Sequence, residues 1–298
     1  MSGPPAPHVD LTNTAGRDAA PRIVMTLLVR DEEDILVQNL EFHRAQGVDH
    51  FIITDNLSKD RTPSIIQHYV RKGWVSSIFE VEDDYSQSEW VTRMARMALR
   101  FGADWVINSD ADEFWVPACG NLKEFYGGVR MDVSTVISSR HDFVYMGKIG
   151  GDWHHRMIYR KAVSLNYTDD LLPPKTAHRA STDVVVHQGN HDVSGLDGTK
   201  AALPGLEILH FPIRSKAQFE NKIRNGGAAY ARNEKLPLTM ARGWRSLYAT
   251  LTTEGSLDSY LKSQRFTPEQ ISAGLASGAL IEDARLANFD FSRASYRV

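Results

Sequence analysis

The chain has 298 residues, of which 42% are hydrophobic and 24% charged, and its formal net charge at pH 7 is -3. These values are typical of a globular protein, and they exclude the strongly basic composition that accompanies nucleic-acid binding. The single cysteine, Cys119, excludes an intramolecular disulfide and indicates a reducing compartment, which we expect to be the cytoplasm. No apolar stretch approaches the roughly 20 residues of a membrane-spanning helix.

The N-terminal residues are rich in Pro, Ala and Gly and lack an apolar core. We therefore expect a disordered leader over residues 1–21 rather than a signal peptide or a membrane anchor. Next, the continuous apolar run Ile23–Val29 predicts a strand that is covered on both faces. Asp31, with Asp34 three residues later, predicts the N-cap of the first helix.

Strands and helices then alternate up to residue 110. Further strands are predicted over residues 50–54, 75–81 and 105–107, and further helices start at Thr62 and extend over residues 87–101. This rhythm predicts an α/β fold with a parallel, doubly wound sheet. Because ligands bind beyond the carboxyl ends of such strands, the polar segments 30–31, 55–56 and 110–113 are expected to line one crevice.

The acidic segment at the end of the fourth strand carries the chemistry. Residues 105–115 read W-V-I-N-S-D-A-D-E-F-W, and buried carboxylates at a strand end need solvent or a counter-ion. Asp110 and Asp112, two residues apart on a turn, offer hard oxygen ligands to a Mg²⁺ or Mn²⁺ ion bridging to a diphosphate. The position of this segment after a hydrophobic strand, with Phe114 and Trp115 expected to anchor the turn, supports the metal-binding interpretation. The alternative is a solvated acidic loop without a ligand.

The pattern changes after residue 115. Strands are predicted at Val133–Ser138, 183–187 and 206–211, separated by polar loops rich in Gly, His and Asp. Helices are predicted over residues 215–233, 238–252, 254–263 and 267–276. These helices either pack on the sheet or form a C-terminal appendage.

Three of these segments resemble the successive signatures of family 2-like glycosyltransferases with the GT-A fold. They are V-R-D-E-E-D-I at 29–35, T-D-N-L-S-K-D-R-T at 54–62 and D-A-D-E-F at 110–114. Later pieces, at 189–191 and 209–215, resemble a bacterial branch of this family. The sequence departs from the family pattern at Asp31, where Asn is usual, and at Arg61, where Gly is usual.

The resemblance implies a GT-A type, mostly parallel doubly wound sheet with a helical C-terminal part. The catalytic domain would span residues 22–214, with a nucleotide-binding half at 22–116 and an acceptor half at 117–214, followed by a helical extension over 215–298. It also implies metal-dependent, inverting transfer of a sugar from a nucleotide-diphosphate donor, with Mn²⁺ or Mg²⁺. The acceptor would be a small molecule, a glycan or a natural product.

The same resemblance identifies the expected donor site. The residues expected to contact the nucleotide are Val29, Arg30, Asp55, Asn56, Arg93, Asp110 and Ala111. Asp55 could accept a hydrogen bond from the base or ribose, and the alternative is a residue that only forms an Asx-turn. For Arg93, as for Arg96 and Arg100, the alternative is a solvated helix face.

Metal and phosphate contacts are expected nearby. His210 would complete the metal site of Asp110 and Asp112, since imidazole suits Mn²⁺, or it is a buried histidine bonded to the backbone. Arg214 and Lys216, in the loop that follows, would be phosphate partners.

An inverting transfer also needs a base that takes the acceptor's hydroxyl proton. The loop beginning at Gly189 could carry it, with Asp192 as the first choice and His191 as the second, while Asp152 is an alternative.

Two other functions remain open. Nucleotidyl transfer would need a glycine-rich, basic phosphate loop after the first strand, and residues 30–34 (R-D-E-E-D) are acidic instead. The third function is a non-catalytic nucleotide-sugar-binding protein on the same scaffold, and the intact Asp110/Asp112 pair argues against it.

Overall fold

The computed structural model describes residues 19–147, 153–166, 170–234, 236–237 and 240–296, so Asp152 and most of the expected leader lie outside the described residues. The strands are β1 (Ile23–Val29), β2 (His50–Asn56), β3 (Val75–Glu80), β4 (Trp105–Ser109), β5 (Glu113–Pro117), β6 (Val133–Ser138), β7 (Arg140–Asp142), β8 (Tyr159–Lys161), β9 (Lys175–Arg179), β10 (Val185–Val186), β11 (Val193–Ser194), β12 (Thr199–Ala202), β13 (Leu206–His210) and β14 (Leu280–Glu282). The helices are α1 (Leu36–Ala45), α2 (Thr62–Arg71), α3 (Gln87–Met97), α4 (Leu122–Gly127), α5 (Trp153–Arg156), α6 (Lys216–Arg232), α7 (Arg242–Glu254), α8 (Asp258–Gln264) and α9 (Pro268–Ser277).

A seven-stranded sheet in the order β12-β6-β9-β4-β1-β2-β3 forms the centre of the fold. β1 lies between β2 and β4 and is parallel to both, and β3 is parallel to β2. The apolar side chains of β1 are buried except for the partly buried Leu28, as its uninterrupted apolar run predicts. β9 alone in this sheet runs antiparallel to its neighbours, β4 and β6. The predicted α/β fold with a mostly parallel sheet is confirmed.

A second, three-stranded sheet holds the segment that follows the acidic residues. β5 begins at Glu113 and pairs antiparallel with β13, while β7 pairs with the other edge of β13. Phe114 and Trp115 are fully buried in β5, so they anchor the chain as predicted. The register puts His210 opposite Glu113 on one side and Asp142 on the other, which carries a distant histidine to the acidic segment.

The local predictions miss the short elements β5, β7, β8, β11, β12, β14, α4 and α5, and they also fail at the following points. Asp31 is not an N-cap: its φ is +55°, α1 begins at Leu36, and the Asp31 carboxylate accepts the backbone N–H of Lys59 at 2.6 Å. Hydrogen bonds to the loop after β2 therefore replace the expected helix start. The predicted strand at 183–187 shrinks to β10, which pairs only with β11. β9 was not predicted, because its sequence K-T-A-H-R has no apolar run.

The predicted C-terminal helices are present as α6 to α9, with shifted ends. α6 and α7 pack closely because Gly226 and Gly227 have no side chains. A Cβ on these glycines would lie 2.5 Å from a ring carbon of Trp244 and 2.3 Å from the Cβ of Tyr248. Over the ranges that the structure describes, none of the helices combines the length and the apolar character needed to cross a bilayer.

His43 of α1 joins that helix to β5. Its ring is fully buried, Nδ1 donates to the Asn39 carbonyl at 2.9 Å, and Nε2 accepts the backbone N–H of Trp115 at 3.0 Å. Burial lowers the pKa of His43 to about 3 from its ordinary 6.5. The imidazole is therefore neutral in the folded protein across the physiological pH range.

We expect the stability of the protein to depend on pH through His43. Below pH 6.5 His43 binds a proton in the unfolded chain but not in the folded chain. The free energy of unfolding therefore falls as the pH falls from 6.5 towards 3. His43→Gln removes up to about 1.4 kcal/mol per pH unit of this dependence. Urea unfolding at pH 7 and pH 5 measures it, with the exposed His187→Gln as control. An unchanged slope in His43→Gln would contradict the expectation.

Candidate active site

The acidic turn, residues 110–113, lies at the carboxyl end of β4. The adjacent strands β1 and β2 end beside it, because Leu27 of β1 pairs with Ser109 and Val29 pairs with Asp55. Asn39 of α1 fixes the backbone of the turn by donating to the carbonyls of Ala111 and Glu113, both at 2.9 Å. The turn thus has a defined shape at the edge where parallel sheets bind ligands.

Asp112 lies at the centre of a group of cations. Its Oδ2 contacts Lys222 Nζ and lies 3.6 Å from His210 Nε2 and 4.0 Å from Arg214 Nη1. Burial favours the neutral acid, but Lys222 and His210 outweigh it and hold the pKa of Asp112 well below its usual range. Asp112 is therefore an ionised carboxylate that is only 1% exposed.

His210 connects Asp112 to a second carboxylate. Its Nδ1 lies 2.7 Å from Asp142 Oδ1, on the neighbouring strand β7, while Nε2 faces Asp112. Burial disfavours the charged imidazole, but Asp112 and Asp142 outweigh this effect and raise the pKa of His210 to about 9. The structure thus brings together the predicted pair of Asp112 and His210, and Asp142 orients the ring.

Asp110 points its carboxylate to a different set of partners. Lys175 Nζ lies 2.5 Å from Asp110 Oδ2 and 3.1 Å from Glu113 Oε1, and Asn190 Nδ2 donates to Asp110 Oδ1 at 3.2 Å. Burial raises the pKa of Asp110, but Lys175 outweighs it, so the pKa is lowered. Burial also raises the pKa of Glu113, against the opposing charge of Lys175. Asp110 is held between β9 and the loop at 188–190.

The expected nucleotide contacts lie around the ends of β1 and β2. Asp55 is 5% exposed, and burial raises its pKa. Its Oδ1 accepts the backbone N–H of Ser58 at 3.1 Å, so Asp55 bonds to its own loop, one residue beyond the position that defines an Asx-turn. Val29 is buried at the end of β1, and Asn56 donates to the carbonyl of Glu82 at 2.7 Å.

The predicted cationic contacts are already engaged with carboxylates. Arg30 pairs with Asp83 at 2.5 Å, and the half-exposed Arg93 pairs with Glu80 at 2.8 Å. The two predicted phosphate partners, Arg214 and Lys216, differ in exposure, because Arg214 is buried and Lys216 is half exposed.

Arg214 is 1% exposed and joins the loop after β1 to the acidic turn. It donates to both oxygens of Asp34 at 2.8 Å and to Glu32 Oε2 at 2.8 Å. Burial raises the pKa of Glu32 to about 7, with Arg214 opposing it. Lys216, by contrast, is half exposed and pairs with Asp258 at 2.6 Å, so the structure does not bring it to the acidic turn.

The two described candidates for the base differ in their surroundings. Asp192 is exposed and its carboxylate pairs with Lys200 of β12, which keeps its pKa low in spite of some burial. His191 is half-buried, and its Nδ1 donates to the Pro174 carbonyl at 2.9 Å. Burial, aided by Lys175 and Arg140, lowers the pKa of His191 to about 4. The negative charge of Asp110 acts on the imidazole of His191.

The residues present fit a divalent cation that is shared with a ligand. Within the described ranges, no group of three or more His, Cys, Asp and Glu side chains is arranged around a common point for a metal. Asp112 Oδ2 and His210 Nε2, however, are 3.6 Å apart, which suits two ligands of one ion at about 2.1 Å each once the Nε2 proton of His210 has left. Cations at diphosphates are usually held by one or two protein ligands, with phosphate oxygens and water completing the shell.

Several residues of the site were not predicted from the sequence, among them Asp142 in β7. Asn39 lies on the first helix, Lys175 in the unpredicted β9, and Lys222 in the helix that was expected to be an extension. The available signal for Lys222 was the polar spacing N-K-x-x-N at 221–225, which aligns side chains on one helix face. No comparable signal marks Lys175.

The sequence model of glycosyltransferase family 92 matches residues 25–203, which is more than half of the chain and includes the whole acidic turn. The chain belongs to glycosyltransferase family 92. The prediction of a glycosyltransferase is confirmed at this level, whereas the family 2-like branch suggested by the motifs is not confirmed. A comparison with curated protein sequences finds no significant match.

Solved structures of other glycosyltransferases are distantly similar to this family 92 chain. TarS 1–349 of S. aureus, in complex with UDP-GlcNAc, is 10% identical over 84% of this chain and 77% of that chain, with a TM-score of 0.44. GalNAc-T7 with UDP, GalNAc and Mn²⁺ is 9% identical over 88% and 59%, with a TM-score of 0.41. Glucosyl-3-phosphoglycerate synthase of Mycobacterium tuberculosis, with Mn²⁺ and UDP, is 15% identical over 60% and 63%, with a TM-score of 0.33.

Proposed function

We propose that this family 92 protein is a metal-dependent, inverting glycosyltransferase of the cytoplasm that uses a nucleotide-diphosphate sugar. The supporting observation is the acidic turn, where Asp112 and His210 face each other at 3.6 Å beside the carboxyl ends of β1 and β2. Asp112 and His210 would hold Mn²⁺ or Mg²⁺, and the bound ion would offset the charge of the diphosphate leaving group. Asp110, oriented by Lys175, would border the same diphosphate or the ribose.

The nucleoside would lie over the ends of β1 and β2. Val29 and Arg30 border this position from β1, and Asp55 and Asn56 border it from β2. The acidic loop 30–34 is clamped by Arg214, so a basic phosphate loop of the kind that nucleotidyl transfer needs is replaced here by carboxylates. This arrangement favours glycosyl transfer over nucleotidyl transfer.

Asp55→Ala is expected to weaken donor binding more than it lowers stability. The carboxylate is hydrogen-bonded to the backbone and side chain of Ser58, which is half-buried, so water can replace the carboxylate there and we expect a stability loss of about 1 kcal/mol. A contact between the carboxylate and a base or ribose is worth about 1.5–3 kcal/mol. We expect the Kd for the donor to rise by about tenfold or more. Calorimetric titration and thermal unfolding measure the two effects. A loss of stability without a loss of affinity would reduce Asp55 to a turn residue.

A donor screen tests the proposed function. We expect thermal stabilisation by one class of nucleotide-diphosphate sugar, tested as uridine, guanosine, adenosine and thymidine compounds, and only when Mn²⁺ or Mg²⁺ is present. A ligand at 100 times its Kd stabilises the folded state by about 2.7 kcal/mol, which thermal unfolding resolves. If no nucleotide-diphosphate sugar stabilises the protein, the proposal is wrong.

The acceptor is expected to be a small molecule, a glycan or a natural product. Mixing the donor identified in the screen with acceptor panels, and measuring release of the nucleoside diphosphate, tests for transfer. The alternative, a non-catalytic nucleotide-sugar-binding protein, predicts binding without release in any panel.

A further inference from the structure

One face of α6 covers the acidic turn. Lys222 contacts Asp112 Oδ2, and its neighbours Asn221 and Asn225 donate to Asp31 Oδ2 at 3.0 and 2.7 Å. The helix is therefore attached to the ends of both β1 and β4. Beneath it, Asp112 is almost completely shielded from solvent.

The ammonium of Lys222 lies against the oxygen atom that a metal ion held by Asp112 and His210 would need. It contacts the same oxygen, Oδ2 of Asp112, that faces His210 Nε2. An ammonium and a divalent cation cannot both lie against that oxygen in a buried site, because two cations a few ångströms apart repel strongly in a low dielectric. Any metal bound by Asp112 must therefore displace Lys222.

The displaced ammonium has a short distance to travel. The Lys222 side chain is 24% exposed, and its Nζ lies 5.9 Å from the centre of the Trp244 ring. Its helix stays fixed by Asn221 and Asn225, so only the flexible stem of the lysine needs to move. A diphosphate that arrives with the metal brings two negative charges to the same place.

We propose that Lys222 is a displaceable cation, which neutralises Asp112 in the empty site and contacts the donor's diphosphate in the loaded site. The exchange leaves Asp112 and Lys222 each with a partner of opposite charge in both states, because Asp112 gains the metal as Lys222 gains a phosphate oxygen. The first half of this proposal rests on the contacts of Asp112, and the second half rests on the proposed function.

Lys222→Met tests both halves with opposite expected signs. The Kd for Mn²⁺ alone, measured on the donor-free protein by electron paramagnetic resonance, is expected to fall by about tenfold, because the competing cation is gone. The Kd for the nucleoside diphosphate at saturating Mn²⁺ is expected to rise by about tenfold, because one charge-assisted hydrogen bond is lost. Arg224→Met removes one charge from an exposed position of the same helix and is the matched control.

The outcomes separate displacement from a structural role. If Lys222 only holds α6 in position, both affinities weaken together, which overturns the proposal, as does an unchanged affinity for Mn²⁺. If Lys222→Met does not fold, Lys222→Gln keeps a polar contact to Asp112 and is expected to give the same pattern. If the wild type binds no nucleoside diphosphate, the proposed function fails, and with it the proposed contact between Lys222 and the diphosphate. The Mn²⁺ measurement still decides whether Lys222 neutralises Asp112 as a displaceable cation.

Discussion

Asp112→Asn is expected to lower sugar transfer by at least about 10²–10³-fold, which is the typical cost of removing one electrostatic contact from a transition state. Asparagine has nearly the same shape as aspartate but no charge. The substitution therefore removes the anion that would hold a divalent cation with His210, and the diphosphate would leave without its counter-charge. Initial rates at saturating donor, followed as a function of Mn²⁺ concentration, measure the effect.

The same substitution also changes the protein without a ligand. Three cations, those of Lys222, His210 and Arg214, lose a buried anionic partner, and breaking a buried ion pair costs about 3–5 kcal/mol. Lys222 can reach solvent, so we expect the variant to fold with a lower melting temperature. Asp132→Asn, which removes an exposed carboxylate paired with Arg130, is the control for charge alone. A variant Asp112→Asn with wild-type Mn²⁺ dependence would show that Asp112 is not a metal ligand.

The sheet and the acidic turn could be predicted because both have local signals. A buried parallel strand such as β1 is an uninterrupted apolar run, and its alternation with amphipathic helices predicts which strand ends meet. Asp110, Asp112 and Asp55 follow directly from that rule. The family motifs identified the same segments independently.

The partners of these carboxylates could not be predicted, because they arrive from distant segments. Lys175 lies 65 residues from Asp110, and Lys222 lies 110 residues from Asp112. The polar spacing at 221–225 marks one face of a helix, but neither segment has a pattern that indicates its partner. Each lysine alone reads as an ordinary surface residue, since lysines are almost never buried unless they are paired. The prediction of Asp31 as a helix N-cap fails for a related reason, because Asp31 bonds to side chains of α6 rather than to its own helix.

His191→Gln is expected to reduce turnover by about 10²–10⁴-fold, the usual contribution of a general base. His191 follows Asn190, which donates to Asp110, and the charges of Lys175, Arg140 and Asp110 act on its imidazole. Its Nδ1–H donates to the Pro174 carbonyl, which leaves Nε2 as the nitrogen with the free electron pair. A Cβ on Gly189 would lie 2.5 Å from Nε2, so glycine is required for the ring to lie there.

The two substitutions distinguish His191 from Asp192, because both side chains have a low pKa and both would give a rate that falls only at low pH. Because burial, Lys175 and Arg140 lower the pKa of His191 to about 4, the imidazole stays unprotonated and able to accept a proton at every pH above that value. We expect kcat of the wild type to fall only as the pH drops towards 4. We expect His191→Gln to have a low rate that no longer changes with pH in this range, and to bind the donor with unchanged affinity. Asp192, exposed and paired with Lys200, has a carboxylate that already has a counter-ion away from Asp110. A loss of turnover in Asp192→Asn, with a near-normal rate in His191→Gln, would move the base to Asp192.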